Sequence, residues 1–311
     1  IRQRPFNKVA DPKDIPRDIF ISGHNSSPLS VDLSRLIKDE KDIFQTGLNV
    51  LKKLTEGNVY LTLGSSMEFD NVITQTISGP HPSGNVGIQI HHTKPLRPGD
   101  VIWSVNAQHV ITLGKLFQTG SYDPTVIVSI GGSGATSPST VKTITGVNIG
   151  LLVEEQSLKG PVRLISGDVL TGKTVENEDF LGFYDSSVSI INDDVKRPFL
   201  GMLSPGSSRT KYSLTNAFLS FGNKAFNFTS SQNGELRAMV PLNAWEDVLP
   251  MDIYPNPLYR AILAQDIEEM EKLGIWECDD EDFALCSFAC PSKIDVGGVV
   301  RDGLNLMEKE G

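Results

Sequence analysis

The chain has 311 residues, of which 39% are hydrophobic and 21% charged, with a formal net charge of −10. That describes a folded chain with a substantial core and room for two or three domains, and its negative charge disfavours nucleic acid and anionic lipid headgroups as direct partners. No apolar run approaches the ~18 residues of a membrane-spanning helix, and three cysteines in so long a chain argue against a disulfide framework and suit a reducing compartment.

Ile1-Arg-Gln-Arg-Pro5 lacks the apolar segment of a signal peptide and is not preceded by an initiator Met, so the chain reads as beginning mid-protein. Residues 1–138 read as an α/β domain. Arg17-Asp-Ile-Phe-Ile-Ser22 is a short apolar strand. Ile43, Phe44, Gly47, Leu48, Leu51 and Leu54 recur at helical spacing, with Gly57 as the stop. Asn58–Leu63, Asn71–Ile77 and Thr125–Ile130 are strand candidates, and their alternation with helices predicts a largely parallel sheet. Residues 139–190 form a small β-rich segment, with strands at Gly146–Gly150, Pro161–Gly167 and Phe183–Ile191. Residues 191–249 are a β-rich connection: Lys224–Thr229 alternates, Ser231–Gly234 reads as a turn and Leu236–Val240 as the return strand. Residues 250–311 are helical, with helices predicted over 257–273 (ended by Gly274), 284–290 and 296–309. The acidic run Asp279-Asp-Glu-Asp282 suits a helix start, where negative charge meets the dipole.

The chemistry-bearing motifs are incomplete. Cys286-Ser-Phe-Ala-Cys290-Pro291 matches the last two ligands of a C-x2-C-x2-C-x3-C-P cluster run. The first two ligand positions fall on Asp280 and Phe283, and Cys278 is out of register by two, so the cysteines read either as packed apolar side chains or as remnants of a cluster site. Gly131-Gly-Ser-Gly-Ala-Thr136 follows a strand as a dinucleotide loop would, but Ser137 stands in the third glycine position and Pro138 follows, which favours a linker between domains. Gly79-Pro-His-Pro-Ser-Gly84 is a rigid turn that connects strands or cradles a ligand. His91 and His92, read as strand neighbours, face opposite ways and cannot chelate together; His24 and His109 stand alone. Neither a Ser-His-Asp arrangement nor an H-E-x-x-H metal helix is present.

Pro5-Phe-Asn-Lys-Val-Ala10, Gly79-Pro-His-Pro82, Asn106-Ala-Gln-His-Val110, Gly114-Lys-Leu-Phe117, Arg163-Leu-Ile-Ser-Gly167-x-Val-Leu-x-Gly172, Lys224-Ala-Phe-Asn-Phe-Thr229, Arg237-Ala-Met-Val-Pro241, Leu285-Cys-x-x-x-Cys290-Pro and the tail Glu308–Gly311 together resemble the NqrA family of the sodium-translocating NADH:quinone reductase, lacking its N-terminal domain. The resemblance implies a multidomain α/β fold, similar to the flavin subunit of complex I and the corresponding subunit of the Rnf complex. In it, residues 1–138 are a Rossmann-like domain without its flavin and 139–190 a soluble-ligand-binding (SLBB) β-grasp domain. Residues 191–249 are a β-rich connection, and 250–311 a helical domain with the degenerate motif. It further implies a peripheral subunit on the cytoplasmic face of the bacterial inner membrane, part of a translocase of the respiratory chain. Its partners are the other subunits, one of them in the membrane, and ubiquinone is an implied ligand. This chain then carries no cofactor and no complete catalytic site; FMN, FAD, iron–sulfur clusters and NADH belong to other subunits. No residue is assigned to quinone, catalysis or metal, Cys286 and Cys290 being cluster remnants. Two alternatives are a flavin- or cluster-carrying electron-transfer subunit of the Rnf or complex I type, and a stand-alone small-ligand module.

Overall fold

The computed structural model describes residues 1–154, 156, 160–193, 228–232 and 234–311. A hairpin, β1 (Arg2–Arg4) and β2 (Lys8–Val9), opens the chain. The parallel strands β3 (Ile19–Gly23), β4 (Val59–Leu63), β5 (Ile73–Thr76) and β6 (Ile102–Asn106) follow. The sheet order is β2-β1-β6-β3-β4-β5, with β1 antiparallel to β6. Strand alternation sorts its two faces. Ile19, Ile21, Leu61 and Val105 pack under α1 (Leu33–Asp39), α2 (Lys41–Lys52) and α4 (Ala107–Thr119). Phe20 and Ile102 pack with Ile90 of α3 (Val86–Thr93) on the other face. Burial on both sides explains the continuous apolar runs of β3 and β4.

The predicted helix over Ile43–Leu54 is α2. It ends at Lys52 rather than at Gly57, which instead makes room for the Arg17 backbone: a Cβ there would lie 1.8 Å from the Arg17 carbonyl oxygen. Gly47 and Gly114 let α2 and α4 touch backbone to backbone, since a Cβ on either would lie 2.2 or 2.0 Å from a carbonyl oxygen of the facing helix. His91 and His92 are not strand residues. They close α3, whose Ile88 and Ile90 are buried.

Asp18, fully buried just ahead of β3, accepts from the Asn58 N–H at 3.0 Å, Arg17 Nε at 2.7 Å and Lys94 Nζ at 2.6 Å. Burial opposes its ionisation, but the Lys94 ammonium, the Asn58 amide and Arg17 prevail and hold its carboxyl below the usual range. Asp18→Asn is expected to cost about 2 kcal/mol at neutral pH, the size of a charged hydrogen-bonding group. A depressed carboxyl stabilises the fold above its unfolded pKa of about 4 and loses that effect as pH falls through the lower folded value. Urea unfolding at pH 7 and in acid should therefore show the difference between variant and native chain shrinking in acid.

The second sheet runs β10-β9-β11-β7-β8. It contains β7 (Thr125–Gly131), β8 (Ser139–Ile144), β9 (Val162–Ser166), β10 (Lys173–Val175) and β11 (Ser187–Asn192), with β7 and β11 the parallel pair. The run Thr125–Ile130, read with the first sheet, belongs here; an apolar run reports burial, not which sheet it joins. Gly131–Thr136 is thus a connection inside this sheet, from β7 to β8, rather than a linker between domains. Gly146–Gly150 is not a strand: Asn148 accepts from the Leu151 N–H and caps α5 (Ile149–Val153).

The C-terminal helices are α6 (Pro255–Ala264), α7 (Ile267–Lys272), α8 (Asp280–Ala289) and α9 (Val296–Glu310), with a 3-10 turn at Ile275–Glu277. The single helix expected over 257–273 is two, because Gln265 turns left-handed at φ 56° and Asp266 caps α7 by accepting from the Glu269 N–H. Leu236–Val240 forms no regular strand. Its backbone hydrogen-bonds to Ser292 instead, through Arg237 N–H and the Ala238 carbonyl. The alternating stretch at 224–227 and residue 233 of the expected turn lie outside the described residues. No described helix is long and apolar enough to cross a membrane.

Candidate functional site

In the first sheet, β4 and β5 step away from β3 on one side while β6 returns to the other. Ligands of open α/β sheets bind beyond the strand carboxyl ends at such a reversal. A crevice of about 590 Å³ lies there. Ser22 and Asn106 line it at the ends of β3 and β6, Gly84–Val86 at the start of α3, and Gly167, Asp168 and Asp185 from the second sheet. Arg2, Arg4 and Arg301 bring positive charge, and Asp280 and Glu281 close the far wall.

Those arginines are already committed. Arg4, 3% exposed, contacts Asp279 at 2.8 Å and Glu281 at 2.6 Å. Arg301 binds Asp279 and Asp280 and donates to the Phe6 carbonyl at 2.9 Å. Arg2 donates to the Asn7 carbonyl and lies 4.6 Å over the Tyr184 ring. Asp168 and Asp185 add negative charge to the crevice. A phosphate placed there would meet carboxylates and, in Arg4 and Arg301, guanidiniums already paired with acids, an unfavourable exchange with Arg2 alone to offset it.

The acidic run that reads as a helix-start signal is thus a junction between units. Asp279 precedes α8 but makes no side-chain cap bond. Burial raises its carboxyl to about 7 against the pull of Arg4, and Asn7 and two guanidiniums surround it. Asp282 is fully buried, and its Oδ2 lies 1.9 Å from where a Cβ on Gly87 would stand, so only glycine fits in the first turn of α3. Neither Asp282 oxygen has a hydrogen-bond partner among the described residues. Burial, then Glu281, pushes its carboxyl far above the usual range, with Arg4 opposing. Nothing in the sequence marked Arg4 or Asp282: one is a terminal strand residue, the other the fourth acid in a run.

The cysteines sit in the helical core, all three buried and free. Cys278 Sγ donates to the Gly274 carbonyl at 3.4 Å and Cys286 Sγ to the Trp245 carbonyl at 3.7 Å. Burial pushes the Cys286 thiol up to about 12 and raises Cys278 as well, which favours the neutral thiol over the thiolate a metal requires. Of the other two cluster positions, Asp280 pairs with Arg301 and Phe283 is buried core. These residues do not fit a four-thiolate cluster. Among the described residues no cluster of three potential metal ligands occurs.

The histidines separate. His91 Nδ1 meets Glu277 Oε2 at 2.7 Å while its Nε2 accepts from the Asp252 N–H, and His92 Nε2 meets the Pro250 carbonyl, so both tie α3 to the C-terminal part. His24 packs against Gly64. His109 stacks on Phe183 at 5.6 Å, and burial lowers it to about 4. His81 is placed differently, in the wall of a second cavity of about 650 Å³ beyond β4 and β5. The turn Gly79–Gly84 connects β5 to α3 and also lines both cavities. Leu151 of α5 and Phe180 and Phe183 of the connection from β10 to β11 are more than half exposed.

The family described as NqrA second alpha/beta domain matches residues 1–122, and the NQRA C-terminal domain, an SLBB unit, matches 127–177. The NqrA protein of the Na(+)-translocating NADH-quinone reductase from Hahella chejuensis is 39% identical over 319 residues, covering all of this chain and 71% of the relative. Its counterpart from Pasteurella multocida is also 39% identical, with the same coverage. Among solved structures, a chain of the NAD+-reducing [NiFe]-hydrogenase in the H2-reduced state aligns over 96% of this chain and 55% of its own length, at 11% identity and a TM-score of 0.47.

Proposed function

The chain belongs to the NqrA family of the Na(+)-translocating NADH-quinone reductase, and from that premise we propose that it works as a peripheral, cofactor-free subunit that holds its neighbours in the complex and binds quinone. The family is a component of an oxidoreductase complex. In this reading the flavins, clusters and NADH belong to other subunits. The chain sits on the cytoplasmic face, attached through a membrane subunit and not through lipid.

The observation that carries the cofactor-free part is the state of the reversal crevice. Two of its arginines, Arg4 and Arg301, are tied to Asp279, Asp280 and Glu281, and Asp168 and Asp185 add negative charge, so the position where an α/β fold would hold a nucleotide phosphate is lined largely by paired guanidiniums and carboxylates. The incomplete thiolate set at Asp280, Phe283, Cys286 and Cys290 supports the same reading for a cluster.

The full-length protein, purified alone, is expected to show no flavin absorbance and no stoichiometric iron. Tagged in its native membrane, it should bring the membrane subunits with it. A cofactor bound reproducibly to the isolated protein, or its isolation free of partners from gently solubilised membranes, would refute the corresponding part.

A further inference from the structure

The segment Glu246–Pro250 forms part of the wall of the second cavity, and the two histidines in the last turn of α3 fasten that segment and the residues just after it. His92 Nε2 meets the Pro250 carbonyl at 2.8 Å, and His91 Nε2 meets the Asp252 N–H at 3.0 Å. A backbone N–H only donates, so His91 Nε2 carries no proton. The single proton of that ring lies on Nδ1 and is donated to Glu277 Oε2 at 2.7 Å. His91 is therefore neutral in this arrangement. His92 uses its ring in the opposite sense. A carbonyl only accepts, so its Nε2 carries the proton, and that bond serves the neutral and the charged ring alike.

Imidazole changes charge between about pH 5 and 8. A second proton on His91 goes to Nε2, where it faces the Asp252 N–H, donor against donor, and the bond is lost. Glu277, in the 3-10 turn, attracts the charged ring more strongly than the neutral one. The ring is thus held in place, and the segment at Asp252 has to give way. The wall and its continuation carry the acids Glu246, Asp247 and Asp252, which favour the charged ring. On the side of α3 stand His92, with ring centroids 5.2 Å apart, and Lys94, whose ammonium is held by Asp18 at 2.6 Å. We propose that His91 is a pH-operated latch on the cavity wall: the neutral ring ties the segment around Asp252 to the end of α3, and protonation unties it. Nothing in this inference depends on what occupies the cavity.

Amide hydrogen exchange of the full-length protein, corrected for the intrinsic effect of pH on exchange, tests it at about pH 7.5 and about pH 5.5. Protection of the Asp252 amide is expected to fall about tenfold in acid, the effect of one hydrogen bond. The amides of β3 and β4 report global opening and should keep their protection. His91→Gln places a carboxamide that accepts from Asp252 and donates to Glu277 without titrating. It should keep protection within about threefold of the native value and show no fall in acid. That variant also separates His91 from Asp279, whose carboxyl is raised by burial to about 7 and titrates over the same range. His91→Phe should be about tenfold less protected at both pH values, and His92→Gln should retain the fall. Native protection that is the same at both pH values overturns the latch. So does a fall that persists in His91→Gln or disappears in His92→Gln.

Discussion

Arg4→Met is expected to destabilise the folded chain by about 3–5 kcal/mol at a pH above the value of about 7 to which burial raises Asp279, the cost of breaking a buried ion pair from one side. Asp279 is fully buried, and Arg4 supplies one of its two guanidinium partners while also holding Glu281. Methionine preserves the apolar stem but leaves two carboxylates short of a cation. Arg4→Lys should recover only part of the loss, because one ammonium cannot present the two nitrogens that meet Asp279 and Glu281 separately. The junction it secures is between β1 and the start of α8, so limited proteolysis should release the C-terminal helices from the variant first. Urea unfolding checks the magnitude. A loss under about 1 kcal/mol, the size of an ordinary exposed pair, would mean that Arg301 alone suffices for Asp279.

Asp282→Asn is expected to stabilise the protein at pH 7, because the native chain must hold protonated a carboxyl that would ionise near pH ~4 when unfolded, a slope of at most about 1.36 kcal/mol per pH unit while the folded group keeps its proton. Asp282 is fully buried without a hydrogen-bond partner among the described residues, and burial holds its proton on. A carboxyl raised in the fold has its full stabilising effect below its unfolded pKa. Stability then falls as pH rises, because the unfolded chain releases a proton that the folded chain keeps. Asparagine, close in shape to the neutral acid, removes that slope. The two proteins should therefore agree in strong acid and diverge steadily from about pH 4 upward. The first turn of α3 lies against this carboxyl, and its dipole lessens the gain. Parallel pH profiles would show that Asp282 is ionised in the fold.

Much of the architecture was legible along the chain. β3, β4, helix α2 and helix α9 appear where apolar spacing places them, because each buries residues whose pattern is written locally, whereas β5 is an edge strand with no buried residue and α8 begins at Asp280 rather than at Ala284. What failed were joins between elements. β7 carries the same run of valines and isoleucines whether it lies in the first sheet or the second. The long helix of the C-terminal part divides at Gln265 because Asp266 captures a backbone N–H, a local competition that apolar spacing does not register.

The candidate sites divide in the same way. The sequence by itself determined the incomplete cysteine set, since a phenylalanine in a ligand position cannot bind iron in any fold, and it determined the family through phrases spread over the whole chain. Only the tertiary structure decided which charges meet. Arg4 and Glu281 stand 277 residues apart, and His81 and Glu246 line one cavity although nothing in their local sequences relates them. Side-chain period is a property of neighbours along the chain, whereas burial and pairing of a charge depend on what the fold brings against it from a distance.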